Sequence, residues 1–121
     1  MKLLRNALLA NAAFSGLSGI TLLVFSGALG GLIGVPSNAL AVTGAVLLVF
    51  ALGLVRNGRR AQVNLAEARL AVVSDWAWVV GSAVLIALVP LTAPGRALVV
   101  GVAAVVAAFA LAQAVGIRRA R

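Results

Sequence analysis

The chain has no cysteine, no histidine and no tyrosine, and its one methionine is Met1. Without cysteine there is neither a disulfide framework nor thiolate ligation of a metal. Without histidine or tyrosine, haem, copper and zinc sites lose their usual ligands, and general acid–base catalysis loses its commonest residue. Acids are nearly as scarce: Glu67 and Asp75 stand against ten lysines and arginines. The expectation is a protein that is not an enzyme and that calls for no cofactor and no metal.

What fills the remainder is apolar. Of 121 residues, 64% are hydrophobic and only 10% charged, outside the range of soluble globular domains. Four spans of about 20 residues each use most of the length, so residues 1–121 read as a single transmembrane domain. The formal charge of +8 does not point to nucleic acid, because the basic residues flank apolar runs instead of forming a face on a soluble module. They read as topology signals and as contacts to a lipid bilayer with anionic headgroups.

The first twelve residues imitate a secretory signal peptide, with Lys2 and Arg5 ahead of an apolar run and a small-x-small triplet at Ala10-Asn11-Ala12. The apolar stretch continues to about Leu32, too far for a signal, and a first span over Leu8 to Leu32, retained uncleaved, is expected. Asn11, Ser15 and Ser18 give it a mildly polar face, each serine by itself expected to bond back to its own helix carbonyls. Gly27, Gly30, Gly31 and Gly34 make its outer end a small-residue surface suited to close helix contact.

Val35-Pro36-Ser37-Asn38 is a short turn before a second span, Ala39 to Val55. A basic loop follows, Arg56-Asn57-Gly58-Arg59-Arg60. Asn64 with Glu67 three residues on has the form of an N-cap opening the next helix, and Glu67 is expected to cap or to pair with a neighbouring arginine. The third span runs from about Ala68 to Val89, stopped by Pro90. Pro94-Gly95 marks a turn ahead of the fourth, Ala97 to Ile117, on which Ala108, Ala112 and Gly116 form a small-residue edge and Gln113 is the one strongly polar side chain.

Lys2, Arg5, Arg56, Arg59, Arg60, Arg69, Arg118, Arg119 and Arg121 fall on one side of these spans and only Arg96 on the other. The positive-inside rule then places both termini in the cytoplasm, in a bacterial inner membrane.

A shift of 64 residues lays Arg5 on Arg69, Asn11 on Asp75, Phe14 on Trp78 and Ser18 on Ser82. With a shift of 59, Phe50-Ala51-Leu52 falls on Phe109-Ala110-Leu111. The fold expected is therefore all-α: a four-transmembrane-helix bundle of two repeated helical hairpins, residues 1–60 and 61–121, in parallel orientation about an axis along the membrane normal. Such an axis sets Asn11 opposite Asp75. Each lies six residues inside a flanking arginine and Gln113 five, which puts all three in one layer about 7.5–9 Å in. That depth is shallow enough for water to reach.

A carboxylate at membrane depth is costly and marks a candidate site whose partner should be named. The candidate intramembrane polar site is Asp75 and Asn11, with Trp78, Ser82, Ser18 and Gln113 around them. Trp78 shares a helix face with Asp75, where it can donate its N–H or screen the acid from lipid, while Trp76 points elsewhere as an interfacial anchor.

The segments Asn11-Ala12-Ala13-Phe14-Ser15-Gly16-Leu17-Ser18-Gly19 and Asp75-Trp76-Ala77-Trp78-Val79-Val80-Gly81-Ser82, with the four spans, resemble small uncharacterised four-helix bacterial integral membrane proteins. The resemblance implies a fold and a location and carries over no activity. Two functions remain open. One is a non-catalytic accessory or interaction subunit that packs against another membrane protein or forms a homo-oligomer. The other is a small transporter, channel or lipid- or ligand-binding bundle that uses Asp75 as a proton or cation site.

Overall fold

The computed structural model describes residues 2–120. Arg121, counted above among the flanking cations, lies outside the described residues, as does Met1. The described chain is all helical: α1 Lys2–Val24, α2 Ser26–Ile33, α3 Ser37–Gly58, α4 Leu65–Leu88 and α5 Ala93–Ala120. Of these, α1, α3, α4 and α5 are each long and apolar enough to cross a membrane. Large apolar side chains such as Val42, Val49, Leu52, Leu70, Val73 and Leu88 stand exposed on the outside of the bundle. A soluble monomer seldom leaves apolar surface so open, whereas lipid solvates it.

The first span departs from the single helix expected over Leu8 to Leu32. The helix breaks at Phe25, whose φ of −109° and ψ of 23° leave the helical region, and α2 begins beyond it. On either side a hydroxyl bonds back to a helix carbonyl, Thr21 to Leu17 O at 2.8 Å and Ser26 to Leu23 O at 3.5 Å. Such back-bonding competes with the backbone ladder and bends helices. The glycines at 27, 30 and 31 then weaken the segment that follows.

Pro94 and Gly95 are a second correction, since they lie inside the first turn of α5 and not in a turn ahead of it. Thr92 accounts for this: its Oγ1 accepts from Gly95 N at 3.0 Å, the geometry of an N-cap, and proline is well tolerated in a first turn. The same residue ties the two hairpins together. Its hydroxyl donates to Leu32 O and its backbone N–H to Ile33 O at 3.2 Å, so the terminal carbonyls of α2 are satisfied by the start of α5.

At the opposite end the expected N-cap is present, Asn64 Oδ1 accepting from Glu67 N at 3.1 Å. Glu67 bonds to Arg56 and lies 3.4 Å from Arg60. Asn57 holds the loop closed, accepting from Asn64 N at 2.8 Å and donating to Asn64 O at 3.1 Å. Arg5 reaches across to the carbonyls of Gly58, Arg60 and Ala61 at 2.8, 2.5 and 3.1 Å. These contacts gather the start of α1 and the α3–α4 loop at one end of the bundle, where Gly116, near the end of α5, packs closely on Leu4.

Helix α1 packs chiefly on α3, and α4 on α5. The two hairpins meet through α1 and α5, while α3 and α4 barely touch. The tightest approach is at Gly95, where a Cβ would fall 2.2 Å from Ile33 O, and two further glycine crossings bring the long helices together. A Cβ on Gly44 would fall 2.6 Å from Gly19 O, and one on Gly116 would fall 2.8 Å from Leu4 Cα. Glycine is required at both for want of space. The apolar core between them is Leu4, Leu8, Ala12, Leu54, Ala68, Ala71 and Ile117, with Val63 folding in from the loop.

Candidate functional site: a buried acid–amide cluster

Three long helices each contribute one polar side chain to the centre of the bundle. Asn11 of α1 donates through Nδ2 to Asp75 Oδ2 of α4 at 3.0 Å and to Gln113 Oε1 of α5 at 3.0 Å. Gln113 in turn donates through Nε2 to the same Asp75 Oδ2 at 2.8 Å. The result is a closed triangle in which one carboxylate oxygen accepts from two amides. Ser15, one turn along α1, donates to Asn11 Oδ1 at 3.0 Å and completes the amide's bonding.

The donor and acceptor inventory explains why these residue types assemble. A carboxylate can only accept, and the two amides supply four N–H groups and two carbonyl oxygens between them. The donor hydrogens of Asn11 go to the other two members, and Gln113 gives one of its own to the acid. Burial is nearly complete, with Asn11 and Gln113 at 0% and Asp75 at 3% exposure. The depth argument left this layer within reach of water, but the triangle is buried, and the amides stand in for water at the acid.

The remaining expected site residues stand apart from the triangle. Ser82 donates to Trp78 O at 2.8 Å, within its own helix. Trp78 Nε1 is buried with no hydrogen-bond partner, so the indole does not donate to Asp75. Ser18 is half-buried, and among the described residues no hydrogen bond joins it to the cluster. Trp76 is 40% exposed and points outward, as its place on the helix required.

Ser15 is the correction on α1, because its hydroxyl bonds a side chain and not a backbone carbonyl. The i to i+4 spacing from Asn11 was the signal that could have found it. Phe14 meets Phe109 with ring centroids 5.8 Å apart and planes tilted by 50°, closing the α1–α5 seam next to the polar layer.

Of the small residues expected to pack, Gly116 lies in a tight helix crossing and Gly30 is close to Val35 O and Ser37 in its own turn. Gly34, at φ 93°, is the left-handed C-cap of α2, a conformation that favours glycine. Gly27 and Gly31 meet nothing within 4 Å, so within this chain they make no close contact. Ala108 is exposed and Ala112 half-buried.

Fold and site together define a class, a helical membrane protein with a polar cluster locked inside its bundle. Comparison with protein families, curated proteins and solved structures found no match.

Proposed function

We propose that this is a non-catalytic integral membrane protein that acts by packing, as an accessory or interaction subunit of another membrane protein or as a homo-oligomer. The observation that carries this reading is the closure of the Asp75–Asn11–Gln113 triangle, which engages the acid with the protein itself. An acid that works on a substrate or conducts an ion needs a route to it. The two depressions along α3 and the α3–α4 seam are lined by other residues than Asp75. Internal hydrogen bonds of this kind contribute about 0.6 to 2 kcal/mol each in membrane bundles, enough to fix which helix faces meet. Gly27 and Gly31 are left as an open small-residue edge that a neighbouring helix can approach closely.

The orientation follows the positive-inside rule. The α3–α4 loop and the cation-bearing ends of α1 and α5 collect at one end of the bundle, and in this reading that end lies in the cytoplasm of a bacterial cell, against anionic headgroups. The two hairpins are read as copies of one ancestor in parallel orientation. The 64-residue separation of Asn11 and Asp75, now hydrogen-bonded, supports this. The copies have since diverged, since α2 has no counterpart in the second half and only one of the two inter-hairpin seams is closed.

A transporter, channel or ligand-binding bundle with Asp75 as its proton or cation site is the alternative, favoured by the acid's position inside a span. Solubilisation in mild detergent tests between them. The packing reading expects an assembly larger than the monomer that Gly27→Leu or Gly31→Leu disperses without loss of helix content. A lone monomer, with reconstituted ion flux that Asp75→Asn abolishes, would overturn it.

A further inference from the structure

The seam between α3 and α4 is open where that between α1 and α5 is closed. A depression of about 200 Å³ occupies it, between Phe50, Gly53 and Leu54 on one side and Leu70, Ala71 and Ser74 on the other. Along α3 it runs on into a shallower one of about 390 Å³ at Ala45 and Val46, the two sharing Val49 and Phe50. From Ala45 to Arg56 this trough follows α3 for about 16 Å. Gly53 keeps it open, since a Cβ there meets nothing within 4 Å.

At its loop end the apolar wall gives way to Arg56 and Glu67, with Arg60 beside them. Glu67 faces both arginines and can neutralise only one. The side chain of Arg56 remains 67% exposed and that of Arg60 42%, and Arg59 and Arg69 stand exposed nearby. The trough is thus long and apolar over most of its length, with surplus positive charge at one end.

We propose that it seats an anionic glycerophospholipid, one acyl chain lying along Phe50, Gly53 and Leu70 and the phosphate meeting Arg56 and Arg60. Charge selects this occupant. A second copy in parallel orientation brings the same arginines to the same end, and like charges repel. A zwitterionic lipid carries its own cation and leaves the surplus arginine charge unmatched. The inference rests on the membrane placement proposed above and is independent of any protein partner.

The test uses the full chain in detergent, after an alkaline wash of membranes has established that it is integral. Release by that wash would overturn the placement and the lipid seat together, before any lipid is added. Native mass spectrometry then compares dioleoyl phosphatidylglycerol, dioleoyl phosphatidylcholine and chainless glycerol phosphate. The wild-type chain should retain phosphatidylglycerol about tenfold over phosphatidylcholine, and glycerol phosphate not at all. Gly53→Leu should fill the trough and remove the retained lipid with unchanged melting, and the Arg56→Gln/Arg60→Gln double variant should hold both lipids equally. Equal retention of the two lipids by the wild-type chain, or full retention by Gly53→Leu, overturns the proposal. So does a lipid-free dimer that Gly53→Leu dissociates, which would give the trough to a second copy.

Discussion

Asn11 Nδ2 lies 3.0 Å from Asp75 Oδ2, joining side chains 64 residues apart at the centre of the bundle. Because Gln113 bonds both, each member is held by the other two, and removing any one leaves the others with unmet bonds in a buried site. That interdependence sets the first expectation.

Asn11→Leu should destabilise the fold by about 1–3 kcal/mol, since Asp75 and Gln113 each lose a donor and Ser15 its acceptor. Asp75→Asn should cost less, within about 1 kcal/mol, because an amide oxygen still accepts and the desolvation cost falls. Thermal melting in detergent measures both. An Asn11→Leu variant that melts like the wild type would contradict the triangle's structural role.

Gly44→Ala should be more damaging than Gly27→Ala or Gly31→Ala. At Gly44 the new methyl enters the Gly19 backbone, an overpacking cost of about 1–3 kcal/mol. At Gly27 and Gly31 it meets open space, where alanine favours the helix by about 0.5–1 kcal/mol. The opposite order in melting temperature would mean that the helices cross elsewhere.

Arg5 acts as a clamp as well as a topology signal, since it binds the carbonyls of Gly58, Arg60 and Ala61. Arg5→Ala should loosen the α3–α4 loop, and limited tryptic cleavage at Arg59 and Arg60 should quicken several-fold. Arg5→Lys should restore only part of the protection, because an ammonium cannot span three carbonyls as a planar guanidinium does.

Topology can be read with single cysteines, as the native chain has none. A cysteine at Gln62 should stay unlabelled by an impermeant maleimide in intact cells, and one at Asn38 or Pro94 should be labelled. External labelling at position 62 would invert the orientation.

Sequence alone determined the class and the number of spans, though not the break at Phe25 in the first. Membrane-length apolar runs leave one solution, helices that satisfy their own backbone, and Pro36, the basic loop and Pro90 punctuate them. It also brought Asn11, Asp75 and Gln113 to one depth, because residue count converts directly into helical rise. Tertiary structure decided what depth cannot encode: which faces turn inward. It engaged Ser15 and left out Ser18 and Ser82, withheld the Trp78 N–H from Asp75, and moved the tight contacts from Gly27 and Gly31 to Gly19 and Gly44. It made Thr92 the tie between hairpins, and it opened one seam while closing the other. Periodicity ranks residues along one helix, but rotation and crossing point are set by the fit of neighbouring surfaces, and a carbonyl facing a glycine across an interface leaves no local trace in the sequence.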